Sequence, residues 1–211
     1  MKKIVIFIIF LLLTGCTNNA NRDLDDAFIN ENIDLNVRPN NSLTYYRYYL
    51  PSDVFEQDYE ENTVLLKYEN SNIVMNLNVA SIINSEFYEE YALKDEGFFD
   101  DYKLSYEHFG TYLDIDNNLI DYFYRVYEYE DDCLVHLMSK NMNFYASTIK
   151  DNLYDLTSKL LIIAKTCEVN NVDVISAYSS KSVIDYQKKQ INLFDLVLPV
   201  NGKLDELILD N

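Results

Sequence analysis

The chain has 211 residues, with 35 acidic against 17 basic side chains, a net charge of −18 and 19 tyrosines. So negative a surface repels phosphate backbones and anionic headgroups, which excludes nucleic acid as a partner and keeps the body off a bilayer surface. Cationic peptides, metal ions or the basic patch of another protein suit it electrostatically, and the length suits one domain with an adequate core.

Met1-Lys2-Lys3 leads into ten apolar residues, Ile4 to Leu13. Ten helical residues rise about 15 Å, half of a hydrocarbon core of roughly 30 Å, so the run is too short to span a membrane. A cationic start, a short apolar centre and small residues beyond it form the pattern of an export signal. A buried N-terminal segment would show periodicity, which this run lacks. It ends Leu13-Thr14-Gly15-Cys16, a tetrapeptide that resembles the lipobox of bacterial lipoproteins. The resemblance implies cleavage between Gly15 and Cys16 and a diacylglyceryl group on the Cys16 sulfur. It also implies a lipid-anchored protein on the extracytoplasmic face of the cell membrane. The chemistry needs cysteine because the thiolate is the nucleophile, and two or more acyl chains turn marginal membrane binding into stable anchoring. A plain signal followed by a structural cysteine is the alternative. Abundant Asn and Tyr, four Gly, three Pro and no Trp fit an AT-rich genome, as in a low-GC Gram-positive bacterium.

Residues 17–23 are small and polar and read as a tether, followed by a short helix around Leu24 and Phe28. Arg38-Pro39-Asn40-Asn41-Ser42 breaks the chain before the body. The aromatic run Leu43–Leu50 reads as a strand stopped by Pro51. Thr63–Glu69 and Asn72–Val79 read as a hairpin around Asn70-Ser71. Alternation in its second arm turns Ile73, Met75, Leu77 and Val79 inward and Asn72, Asn76 and Asn78 outward. Ser85–Leu93 suggests a short helix. Asp101–His108, Gly110–Ile115, Leu119–Tyr129 and Cys133–Ser139 are further strands.

From Ile149 to Cys167 apolar residues recur at three and four, with Lys150, Asp151, Asp155 and Lys159 between them, the signature of an amphipathic helix. Val172–Tyr178 returns to strand alternation, and 182–209 reads as a helical tail. The expected fold is α+β: an antiparallel sheet of six or seven strands, a long amphipathic helix packed on one face, and the tail. The domains are a signal at 1–15, the lipidated cysteine with its tether at 16–42, and one α+β domain at 43–211.

No segment carries a strong catalytic or metal motif. Asp114-Ile-Asp116-Asn-Asn118 starts like a calcium loop, but Leu119 stands where glycine is required and Arg125 where the bidentate glutamate should be. A hairpin turn accounts for it better. His108 and His136 stand alone in separate strands, with no ligand spacing for zinc. Ser179-Ser180-Lys181-Ser182 reads as a loop entering a helix, and no nucleophile–base pair is evident. The expectation is a protein without enzymatic activity, metal or cofactor. Cys133 and Cys167 are candidates for a disulfide in an exported protein, or for small buried hydrophobes. Tyr45, Arg47 and Tyr49, with Tyr124 and Arg125, are candidates for a recognition surface, because exposed Tyr and Arg favour binding energetically. A tyrosine-filled core is the competing reading. These features point to a binding module for another envelope protein or a wall component. A small-ligand or peptide receptor serving a transporter comes second, and an envelope hydrolase third.

Overall fold

The computed structural model describes residues 24–30, 37–87, 93 and 97–178. The signal, Cys16, residues 17–23 and the predicted helical tail lie outside them. Helix α1 (Leu24–Asn30) precedes strands β1 (Asn41–Ser42), β2 (Tyr46–Tyr48), β3 (Val54–Tyr59), β4 (Thr63–Tyr68) and β5 (Ser71–Leu77). Helix α2 (Val79–Phe87) leads to β6 (Lys103–Leu113), β7 (Leu119–Tyr129), β8 (Asp132–Ser139) and β9 (Met142–Ile149). A 3-10 turn, helix α3 (Leu153–Lys165), β10 (Glu168–Val169) and helix α4 (Asn171–Tyr178) follow.

The architecture is α+β. Two antiparallel meanders, β3-β4-β5 and β6-β7-β8-β9, join through β5 and β9 into one seven-stranded sheet of order β3-β4-β5-β9-β8-β7-β6. A small sheet of order β1-β2-β10 sits beside it. Short turns fix the meander registers. The two-residue turns after β4 and β7 begin at Glu69 and Glu130, with φ of +50° and +48°. After β6, the Asp114 carboxylate accepts the backbone N–H groups of Asp116 (3.0 Å) and Asn118 (2.7 Å) and the Asn118 amide (3.0 Å). The segment with calcium-like spacing is therefore a hairpin turn whose principal carboxylate is occupied by its own backbone.

One sheet face carries the main core. Val64, Leu66, Ile73, Met75, Val135, Leu137, Phe144 and Ala146 alternate onto it, and Leu156, Leu160, Leu161 and Ile163 of α3 close over it against β8 and β9. Burying each such side chain contributes roughly 1.5–3 kcal/mol. Helix α1 docks on the same face: Ala27 is buried and Phe28 packs among Tyr106, His108, Tyr122 and Tyr124. Gly110 faces Tyr122 across the ladder, and a Cβ there would approach the Tyr122 hydroxyl to 2.8 Å, so glycine makes room for the ring.

The other face holds a smaller cluster of Val74, Leu134, Tyr127 and Tyr145 under Phe98, Phe99 and Tyr102. Asn72 and Asn76, expected to face outward, are buried on that second face, and Asn78 is buried at the end of β5. Asn78 caps α2: its Oδ1 accepts the Ser81 N–H at 3.2 Å and its Nδ2 donates to the Ser139 carbonyl at 3.0 Å.

Four elements differ from the expected ones. β3 and β9 are strands in stretches to which the sequence pattern assigns no element, β9 taking in Ile149 at the start of the expected helix. Residues 171–178 form a helix instead of a strand, because Asn170 caps it: its Oδ1 accepts the Asp173 N–H and its amide donates to the Asp173 carboxylate at 2.6 Å. The two expected strands around Phe109 are the single eleven-residue β6. No helix of the described residues is long and apolar enough to cross a membrane.

Candidate functional site

The five residues expected to share a recognition surface do not meet. Tyr124 is fully buried on the main-core face, its hydroxyl 2.6 Å from Thr157 Oγ1 of α3. Burial pushes its phenol above the ordinary range, and it is a core residue. Arg125 follows it in the strand and so points to the opposite face, where its Nε donates to Glu107 at 2.6 Å and its guanidinium lies 4.7 Å from the Phe123 ring centre. Tyr45 and Arg47 line a shallow recess of about 370 Å³ with Asp116 and Glu168. Both are engaged there: the Tyr45 hydroxyl donates to Glu61 at 2.8 Å, and Arg47 pairs with Glu168. The bond to Glu61 raises the Tyr45 phenol. The half-buried Tyr49 donates its backbone N–H to Thr166 Oγ1 at 3.2 Å.

Cys133 and Cys167 are free, buried thiols, placed as small buried hydrophobes, the second of the two readings. Cys133 pairs with Thr148 ahead of α3, whereas Cys167 follows the far end of that helix. Thirteen helical residues rise about 20 Å, well beyond the Cα separation of about 4.4–6.8 Å that a disulfide tolerates.

Two other surfaces present chemistry. The first is β3, bonded to β4 alone among the described strands and therefore an open edge of the large sheet. A bulge between Glu56 and Asp58 divides its side chains. Phe55 and Asp58 stand opposite Lys67 and Leu65, and Glu56 and Tyr59 stand opposite Leu66 and Val64. Each sheet face at this edge thus carries one aromatic ring and one carboxylate. Phe55 is 62 % and Tyr59 61 % exposed. Among the described residues no cation pairs with Glu56, Asp58 or Glu60. Sequence reading missed β3 because its solvent-exposed residues leave no apolar alternation after Val54.

The second surface is a groove of about 400 Å³ near the opposite edge, between α2 and the β6–β7 strands. Phe109, Leu119 and Phe123 form its apolar wall, and Ser81, Asp121 and Lys140 supply polar groups. Tyr122 and Ser139 make the rung of the β7–β8 ladder beside which Asp121 and Lys140 lie. Although both line the groove, the two charges form no ion pair with each other or with any other described residue. Ser81 is wholly buried, and its hydroxyl has no hydrogen-bond partner among the described residues. The described residues contain no cluster of His, Cys, Asp or Glu that could hold a metal ion. No protein-family model and no curated protein matches the chain.

Proposed function

We propose that this protein is a lipid-anchored module of the bacterial cell envelope, held at Cys16 on the extracytoplasmic face, that binds another envelope protein without catalysing a reaction. The observation that carries the partner class is the β3 edge, where a ring and a carboxylate flank the open strand on each face. In an extended segment successive side chains point to opposite faces. A Lys- or Arg-bearing strand added along β3 finds a carboxylate and a ring for cation–π contact on both sides. Carboxylates on both faces of an edge also discourage indiscriminate pairing between sheets, so the same residues favour a basic partner and disfavour a second copy.

The anchor suits this arrangement. Residues 17–23 reach at most about 24 Å, and α1, which follows them, docks at the β6–β7 end of the sheet. Seven strands at about 4.8 Å spacing put β3 roughly 29 Å from β6, on the side away from the attachment point. In this reading α3 belongs to a long amphipathic helix supporting the sheet, and residues 182–209 add a helical tail.

Two experiments test the proposal. Cys16→Ala should abolish fatty-acid labelling; continued labelling and anchoring would remove the lipoprotein reading. A photo-crosslinker in place of Phe55 in living cells should capture a defined Lys/Arg-rich segment. The adduct should weaken with Asp58→Ala and be absent when the crosslinker replaces Leu113. Capture of segments without basic residues, or equal capture from both sites, would overturn the partner class.

A further inference from the structure

The groove between α2 and the β6–β7 strands lies at the other end of the sheet from β3 and carries a different chemistry. Its wall is apolar, through Phe109, Leu119 and Phe123, and 63 % of Phe109 and 67 % of Leu119 remain exposed. On its polar side one carboxylate and one ammonium flank the same rung, yet neither is paired with a described group. Adjacent opposite charges in so acidic a chain would ordinarily neutralise each other. Instead both open on a volume of about 400 Å³, within the range of small-molecule sites. The buried Ser81 hydroxyl adds a hydrogen-bonding group whose capacity no described residue uses, a deficit that a bound ligand relieves.

We propose that this groove binds a free α-amino acid with an apolar side chain, its ammonium on Asp121, its carboxylate on Lys140 with Ser81, and its side chain against Phe109 and Leu119.

The match lies in charge spacing. An α-amino acid carries both charges on one carbon, so its two counter-charges must sit close together, as residues flanking one ladder rung do. The ends of a dipeptide are a full peptide unit further apart and do not suit the pair. Each charge-assisted bond to a ligand adds discrimination because removing one ligand charge leaves a protein charge unpaired in a partly desolvated site. Lys140 alone would accept any carboxylate, and Asp121 alone any amine. Together with the apolar wall they select the zwitterion.

The test is calorimetric titration of the lipidated protein in detergent micelles with L-leucine and L-phenylalanine at millimolar concentration. Leucinamide, N-acetylleucine and leucyl-leucine serve as comparisons. Binding is expected for the free amino acids and about tenfold or weaker for each analogue. Asp121→Asn should weaken leucine about tenfold and leave N-acetylleucine unchanged, and Lys140→Gln should weaken leucine while leaving leucinamide unchanged. Thermal unfolding of each variant, expected to match the parent, establishes that the groove is present. No heat with any amino acid for a folded protein would overturn the proposal. So would equal binding of leucine and its blocked analogues, or tighter binding of the dipeptide. Loss of crosslinking at Phe55 would leave these titrations untouched, so the two proposals fail separately.

Discussion

The Phe28 ring lies flat on the His108 imidazole, the ring centres 4.1 Å apart and the planes inclined by only 9°. This stack joins the first described helix to the outermost strand of the sheet. Tyr122 and Tyr124 close around it, and Tyr106 donates its hydroxyl to Asp25 at 2.5 Å. A seven-residue helix is too short to persist alone, so α1 exists because the body holds it. Phe28→Ala should release it at a cost on the order of 2 kcal/mol. Hydrogen exchange should accelerate in Leu24–Asn30 while the amides of β8 and β9 keep their protection. Unchanged exchange in the helix would show that other contacts hold it.

Tyr124 and Thr157 connect sheet and helix, and the Thr157 hydroxyl also donates to the Leu153 carbonyl at 2.6 Å. Replacing Tyr124 by Phe keeps the ring and removes one buried hydrogen bond. The expected loss is about 1 kcal/mol in denaturant unfolding, with no change in capture at Phe55. A stability equal to the parent's would mean that the hydroxyl contact contributes nothing net.

The two thiols should be chemically silent in the folded protein. Burial raises both, Cys167 far beyond the ordinary thiol range with Glu168 adding to the effect, and Cys133 through desolvation. Only the thiolate reacts readily. An aromatic disulfide reagent at pH 8 should therefore label neither cysteine natively and both after denaturation. Rapid native labelling of Cys167 would contradict its enclosed position.

Alkaline pH should unfold the protein earlier than its acidic surface suggests. Burial raises the phenols of Tyr48, Tyr112 and Tyr124, and pushes Tyr178 up to about 12 although its oxygen accepts a hydrogen bond from the Asn62 amide. A phenol whose pKa is higher in the folded state than in the unfolded chain binds its proton more tightly when folded. Its stabilising contribution is complete below about pH 10 and declines as pH rises through the folded value. The unfolding midpoint should fall between about pH 10 and 12, in step with tyrosinate absorbance at 295 nm. A midpoint constant across that window would refute the shared burial of these rings.

What the linear chain determines here is local periodicity and turn chemistry. The hairpin around Asn70, the Asp114 turn and β7 are each encoded within a dozen residues, since alternation and short-range capping need no distant partner. The lipobox-like end at Cys16 is likewise local. The remaining features depend on what packs where. β9, buried on both faces along Met142–Thr148, shows no alternation because two apolar covers remove the contrast that makes a strand visible. Asn72 and Asn76 are interior because the second sheet face is itself packed, by segments distant in sequence. The cap at Asn170 outweighed the β-branched residues Val172, Val174 and Ile175. Tyr124 and Arg125, adjacent in the chain, were sent to opposite faces by the pleat, and only the docking of α3 decided which face became core. The edge at β3 and the groove at Asp121 and Lys140 are products of strand order, which no local pattern encodes, because an edge is defined by the partner a strand lacks and a groove by residues brought together from distant segments.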